Sequence, residues 1–424
     1  MIRSGALVEP LRLGLQEPHL ETLANGSGIV SLPLVGAPLV CLDLWCRAGS
    51  AFEREEESGM AHFLEHMVFK GSSRLEAGEF DRRIEALGGC SNAATGFDDV
   101  HYHVLIPPQE AGEALDLLLD LVLRPRLDAD ALGLERRVVL EELAQSEDQP
   151  EDVALQKLLA LACGDHPYGR PILGSREALL RHDPAGMEAF RRRLYTGADC
   201  LLAITGAVTE GCLTERAAGS GLAGLEAGAA APTPAALTVS PGWHRIALPR
   251  LEAARLLMAW WQPPAADLAG VTGADLATTL LAEGRRSRMV DRLREKLRVV
   301  ESVDLDLHPM EGGSLALLEA ICEVDRLAEV SQQIQQLWQE AMERPFSERE
   351  WKRAHHLVAN AYRFGLESAP GVASTVGNAH LWGRHLPLAA PLQELDRWTP
   401  DRLQREILPL LDPRHACVLE AVPA

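Results

Sequence analysis

One stretch with almost nothing to fold around divides this chain. From Gly219 to Pro234 the residues are Gly, Ala, Leu, Ser, Thr and Pro with a single glutamate. Such a composition suits a connector rather than a core. The chain has 424 residues, too many for one ordinary core and enough for two units of roughly 200 residues each. We therefore expect an N-terminal domain over 1–215, a connector over 216–241 and a C-terminal domain over 242–424.

The order of elements on either side of the break repeats coarsely. In the first half, apolar runs interrupted by Pro33, Gly36 and Pro38 predict two short strands within 27–48. A charged loop, Glu53 to Glu57, leads to Ser58-Gly59 and a helical pattern over about 60–69, stopped by Gly71. A second helix follows at 80–87, ended by Gly88-Gly89. Cys90 to Ile106 then reads as strand, with Val100, Tyr102, Val104 and Ile106 alternating. Helices are expected at roughly 109–123 and 128–146. In the second half, strand is expected near 245–262, helices near 271–296, a strand pair near 298–322, and helices at 325–343 and 347–367. Identity between the halves is not visible, so the duplication rests on the pattern. The fold class is α+β: two similar domains, each a sheet covered by helices.

Within the helix at 60–69 stands His62-Phe63-Leu64-Glu65-His66. On a helix, His62 and His66 (i, i+4) share a face and Glu65 lies one residue over. Two neutral imidazoles can hold Zn²⁺, and a carboxylate beside them can act as a base. The order H-x-x-E-H is the inverse of H-E-x-x-H and marks a separate class of zinc hydrolase. A third protein ligand is required. The helix over 128–146 offers Glu135, Glu141 and Glu142. Glu135 and Glu142 are two turns apart and share a face, so that one can ligate and the other support it; Glu141 is rotated away by about 100°.

His101 and His103 also share a strand face. No Cys or carboxylate stands at ligand spacing from them along the sequence, which predicts a packed or solvent-facing role; His355 and His356 are read the same way. The eight cysteines form no C-x-x-C pair, which suits reduced thiols in a cytoplasmic protein. The N-terminal segment has no apolar core of a secretory signal, and no apolar run approaches the roughly 20 residues needed to span a bilayer. A net charge of −20 argues against nucleic acid as a partner.

His62-x-x-Glu65-His66 followed by Glu142 resembles the signature of the pitrilysin family of zinc peptidases, in its mitochondrial-processing-peptidase-like branch. Further stretches agree: Gly88-Gly89-Cys90-Ser91-Asn92-Ala93-Ala94-Thr95, His166-Pro167-Tyr168-Gly169-Arg170-Pro171-Ile172-Leu173-Gly174, and Ser287-Arg288 leading to Leu293-Arg294-Glu295-Lys296. The resemblance is closer in the first half. It implies one Zn²⁺ per chain held by His62, His66 and Glu142, with Glu65 as general base and Glu135 as a supporting carboxylate in the catalytic group. It implies two homologous domains, each a mixed sheet of about six strands, forming half of a chamber that admits unstructured peptides. Asn92 and Ala93 match positions that contact substrate on an edge strand, and the small Ala93 and Ala94 leave room for it to approach.

The chain departs from that pattern at one place. Active members carry an Arg and a Tyr seven residues apart in the second half, the Arg helping to hold substrate and the Tyr stabilising the oxyanion. Arg294 matches the Arg, but Glu301 stands at the Tyr position, and the Gly-Leu that usually precedes it is absent. A carboxylate there repels a developing negative charge. The resemblance then implies a zinc-bearing subunit whose homologous partner supplies the Arg/Tyr pair. A homodimeric peptidase of reduced activity, a non-proteolytic scaffold subunit and a zinc hydrolase of small substrates are the alternatives.

Overall fold

In a computed structural model, residues 17–208 and 211–424 are described; the N-terminal segment read above for a signal lies mostly outside them. Eleven strands among the described residues make two sheets. The first contains β1 (His19–Thr22), β2 (Gly28–Pro33), β3 (Val40–Cys46), β4 (Cys90–Thr95), β5 (Val100–Ile106) and β6 (Cys200–Gly206), in the order β1-β2-β6-β3-β5-β4. The second contains β7 (Gly242–Leu248), β8 (Ala254–Gln262), β9 (Ser302–His308), β10 (Ser314–Cys322) and β11 (Cys417–Pro423), in the order β7-β11-β8-β10-β9. With β1 set aside the two orders are the same. In each, one pair is parallel (β2 with β6, β7 with β11) and the rest antiparallel. The repeat suggested by the pattern is therefore topological, and the second sheet has five strands rather than six because it has no equivalent of β1.

The helices are α1 (Met60–Val68), α2 (Glu79–Ala86), α3 (Ala111–Leu123), α4 (Ala129–Asp148), α5 (Pro150–Cys163), α6 (Arg176–Arg181), α7 (Pro184–Leu194) and α8 (Cys212–Ala218) in the first half. The second half has α9 (Leu268–Leu281), α10 (Leu327–Glu343), α11 (Glu348–Gly365), α12 (Ala369–Leu381), α13 (Ala390–Leu395) and α14 (Pro400–Glu406). A π-helical segment covers Val290–Lys296, within the stretch where the pattern predicts helices. It is followed by Arg298 with φ of 55°, a left-handed backbone that favours glycine. This is the stretch in which the expected Gly-Leu is missing.

Two differences from the sequence reading have simple causes. Cys90 to Ile106 is a hairpin rather than one strand: the chain turns at 96–99, and the core-facing positions change phase there, from Ser91, Ala93 and Thr95 in β4 to Val100, Tyr102, Val104 and Ile106 in β5. The connector is shorter than expected. α8 and a helical turn at Gly221–Gly224 pack on the first core through Ala217 and Leu222, leaving 225–241 without helix or strand. Those residues are also pinned: the Ala231 amide donates to Asp199 (2.6 Å), the Leu237 amide to Gly312 (2.7 Å) and the Ser240 amide to Ala162 (2.8 Å).

Each sheet packs one face against helices of its own half, and the other face is closed by a helix from the opposite half. α12 lies across β3 and β6 of the first sheet, with Val372, Ala373 and Val376 against Val30, Cys41, Trp45 and Leu201. Reciprocally, α5 lies across β8 and β11, with Leu158, Leu159 and Ala162 against Leu257, Ala259 and Leu419. α5 and α12 are each the third helix after the β5 or β10 strand, so the exchange follows the internal repeat. Gly377 lets α12 approach closely, since a Cβ there would stand 2.4 Å from the Trp45 indole nitrogen. Thr205 donates to the Ala369 carbonyl (2.7 Å) and Arg47 to the Leu381 carbonyl (2.9 Å), fixing both ends of α12. Tyr168 joins the halves a second time, donating to Asp98 (2.6 Å) and accepting from the Gly312 amide (2.9 Å).

Candidate metal centre

The site is built on α1, α4 and the edge strand β4. α1 begins at Gly59, whose φ of 81° no β-carbon-bearing residue adopts cheaply. A Cβ on Gly59 would also meet the Leu173 carbonyl at 2.7 Å and Gly174 at 2.9 Å, and a Cβ on Gly174 would stand 2.5 Å from Gly59, so the close approach requires glycine on both sides. The orphan amides of the first turn are met from outside the helix. Glu53 is buried and accepts from the amides of Gly59 (3.0 Å) and Ala61 (2.8 Å). Burial pushes the Glu53 carboxyl up to about 8 against the pull of those amides. Phe63, Leu64, Met67 and Val68 bury the opposite side of α1 in the first core.

α4 runs beside α1 and presents Glu135 and Glu142 to it, while Glu141 is exposed. Glu142 Oε2 stands 3.7 Å from His62 Nε2 and 3.5 Å from His66 Nε2. One ligand-type atom from each of the three residues lies within 4.8 Å of the others. Tetrahedral bonds of about 2.0–2.1 Å place donor atoms roughly 3.4 Å apart, so the two imidazoles and the carboxylate fit a zinc ion with little movement. Burial, and then the neighbouring His66, lowers the His62 imidazole to about 4, leaving it neutral as a metal donor must be.

The remaining carboxylates are arranged around this group. Glu135 is buried and holds His66 Nδ1 at 2.9 Å, and Lys70 lies 2.7 Å from its other oxygen. The Glu135 hydrogen bond raises the His66 imidazole, against burial. For Glu135 itself, burial raises the carboxyl, but His66 and Lys70 together bring it below the usual range. Glu65 accepts a hydrogen bond from Thr95 at the end of β4. Burial raises its carboxyl, partly offset by Thr95. Glu53, Lys70 and Thr95 were not singled out by sequence. Lys70 follows His66 by one helical turn and was findable; the other two touch α1 only through the fold.

β4 is the outer strand of its sheet, bonded to β5 on one side only. Asn92 and Ala94 point to the exposed face and Ala93 packs against the core. Arg294 is not brought to this group. It lies in the π-helical segment of the second half and pairs with Glu295 (2.9 Å). Glu301 is exposed, its amide donating to Ile321 (2.8 Å).

One expectation is overturned. His101 and His103 do have a carboxylate partner, Asp43 on the neighbouring strand β3, with His101 Nδ1 2.9 Å from its Oδ1. Strand pairing brings together residues nearly 60 positions apart, which spacing along the chain cannot show.

In the second half, α9 takes the position that α1 has in the first, between the second and third strands of the common five. It carries no His and no Cys, and Asp275 is its only acidic residue. At this position of the repeat α1 thus carries two imidazoles and a carboxylate, and α9 is largely apolar.

Comparison with known proteins agrees with this division. Residues 35–176 match the family model described as Insulinase (Peptidase family M16), and residues 184–358 match the one described as Peptidase M16 inactive domain. An uncharacterized zinc protease of Mycobacterium leprae is 28% identical over 403 residues, 94% of this chain and 90% of that one. A probable mitochondrial-processing peptidase subunit beta of Arabidopsis thaliana is 32% identical over 196 residues, 46% of this chain and 37% of that one. The fold matches the crystal structure of a protease from Helicobacter pylori with a TM-score of 0.90 at 21% identity, over 96% of this chain and all of that one. With both halves matched by models of one family, this chain belongs to peptidase family M16, the insulinase/pitrilysin family.

Proposed function

We propose that this chain is a zinc-dependent endopeptidase of unstructured peptides, with one zinc ion held by His62, His66 and Glu142. The observation that carries this reading is the convergence of those three donors from two helices, beside Glu65 and the open edge of β4. Bound there, zinc would supply Lewis acidity and lower the pKa of water toward 7, from about 15.7 in bulk. Glu65, held by Thr95, takes the proton of the attacking water and returns it to the leaving amine. Glu135 fixes the ring of His66 through Nδ1 and keeps Nε2 turned toward the metal position. Asn92, Ala93 and Ala94 line the free edge of β4, where an extended peptide satisfies its own amides and carbonyls by pairing.

Replacing Glu135 by Ala is expected to weaken zinc binding on the order of 10–100-fold, as read by competition with a chromophoric chelator. Wild-type affinity in that variant would remove Glu135 from the role of orienting His66.

Glu301 favours a divided active site. A carboxylate at the position of the family's Tyr leaves the oxyanion without a donor from this chain, and one such donor contributes on the order of 10²–10³ in kcat. The reading is a heterodimer in which a homologous chain brings the Arg/Tyr pair, and in which Arg294 keeps a part in holding substrate. A homodimer of reduced activity is the second reading. The retained His62, Glu65, His66 and Glu142 speak against a scaffold, which has no use for them. No helix among the described residues is long and apolar enough to cross a membrane, and eight cysteines without a C-x-x-C pair suit reduced thiols in the cytoplasm.

The test is purification from the native source, identification of any co-purifying chain, metal analysis, and cleavage of an unstructured peptide with and without that chain. Zinc in this subunit and a large rise in activity on adding the partner are expected. A single chain as fast as the mixture would overturn the heterodimer, and a zinc-loaded mixture that cleaves no peptide would overturn the peptidase.

A further inference from the structure

The face of the first sheet that α12 covers carries a second set of ligand-type side chains. β3 presents Asp43 and Trp45; β5 presents His101 and His103. The register sets Asp43 directly opposite His103 and Trp45 opposite His101. This face is the reverse of the one on which α1 packs, since Tyr102 and Val104, alternating with the two histidines, lie in the same core as Phe63 and Leu64. One donor atom from each of Asp43, His101 and His103 lies within 4.8 Å of the others, the same criterion that His62, His66 and Glu142 meet.

A buried hydrogen-bonded pair accounts for only part of this cluster. Asp43 is 2% exposed and its Oδ1 is met by His101 Nδ1 at 2.9 Å. Trp45 stacks on His101 with centroids 4.2 Å apart and planes 10° from parallel, and His103 stacks at 5.6 Å. The rings are thus held in place. Yet His103 Nδ1 is buried without a hydrogen-bond partner among the protein atoms. A buried polar nitrogen left in that condition is costly and calls for a further group to satisfy it.

We propose that Asp43, His101 and His103 bind a second divalent transition-metal ion, zinc foremost, separate from the His62/His66/Glu142 centre. Two imidazoles and a carboxylate form an N/N/O set suited to zinc and its first-row neighbours and poorly suited to calcium or magnesium, which take oxygen ligands. Histidines at i and i+2 of a strand face the same way without any loop to order, and the carboxylate comes from the strand already bonded to it. The ion would tie β3, in the middle of the sheet, to β5, the strand on which the edge strand β4 hangs. Its role is to position that edge rather than to take part in bond cleavage.

The experiment is zinc stoichiometry of the full chain, stripped with chelator and equilibrated in zinc-buffered solution at low-micromolar free metal. Wild type is expected to hold two zinc ions, the His62→Gln/His66→Gln variant one, and the His103→Gln and Asp43→Asn variants one each. Cobalt absorption spectra of the His62→Gln/His66→Gln variant, in which the second cluster is intact, should show the intense visible bands of a four-coordinate site. One zinc in wild type and none in the His62→Gln/His66→Gln variant would overturn the second site. Two zinc ions retained in folded His103→Gln and Asp43→Asn, with circular dichroism as the check on folding, would overturn its assignment to these residues. Because metal content is read without substrate, loss of the peptidase reading leaves this test standing.

Discussion

Replacing Glu65 by Gln will leave zinc content and fold unchanged and lower peptide turnover by roughly 10²–10⁴-fold. The separation follows from where the side chain sits. Glu65 is outside the three-donor group formed by His62, His66 and Glu142, so an amide in its place takes no ligand away. Gln has the same shape, and its carbonyl oxygen can still accept from Thr95, which now bonds the carboxylate. What is lost is a proton acceptor. The half-buried position of Glu65, which raises its carboxyl above the usual range, matches a group that must hold a proton between attack and departure of the amine. The measurement is kcat on an unstructured peptide alongside metal analysis of the same sample. Full activity in pure Glu65→Gln protein would remove this residue from the mechanism.

The largest effect on stability is expected from Trp45→Ala, at about 3–5 kcal/mol. Trp45 is 4% exposed, and it sits where α12 of the second half presses on β3 of the first, against Gly377. Truncation removes the indole from between β3 and α12, both regular elements, the helix held by hydrogen bonds at its ends. Because each half lends the other a helix, the loss should be felt by the whole chain. A thermal or denaturant transition monitored by several probes should move as one. Two separated transitions, with only the earlier one shifted by the substitution, would show that the halves unfold independently and that the exchanged helices contribute little coupling.

What the sequence made legible was the chemistry carried by local geometry. Helical spacing paired His62 with His66 and Glu135 with Glu142, and both pairs lie on shared faces of α1 and α4. A strand with one apolar and one polar face, such as β5, showed as alternation. Some strands buried on both sides did not. β6 reads Cys-Leu-Leu-Ala-Ile-Thr-Gly and is buried throughout, so it has no polar phase to reveal its period. β11 failed to show for the same reason. α12 was missed because its small residues, needed to lie close on the sheet, give it little amphipathic contrast. The Asp43 partner of His101 was invisible because it exists only across a strand pairing. Linear spacing thus gave the two pairs, the family resemblance joined them into one group, and neither showed the pair set by a sheet.

The exchange of α5 and α12 also has a consequence for how the chain is made. β6, the last strand of the first sheet, is complete at Gly206, but the helix that covers its outer face begins at Ala369. At a synthesis rate of about 5–20 residues per second, the intervening segment takes on the order of ten to thirty seconds to emerge. Throughout that interval Val30, Leu32, Cys41, Trp45, Leu201 and Ala203 form a bare apolar surface on a half-born protein. The first half must wait on the ribosome for the second to finish it, and the nascent chain in that window is a natural client for chaperones.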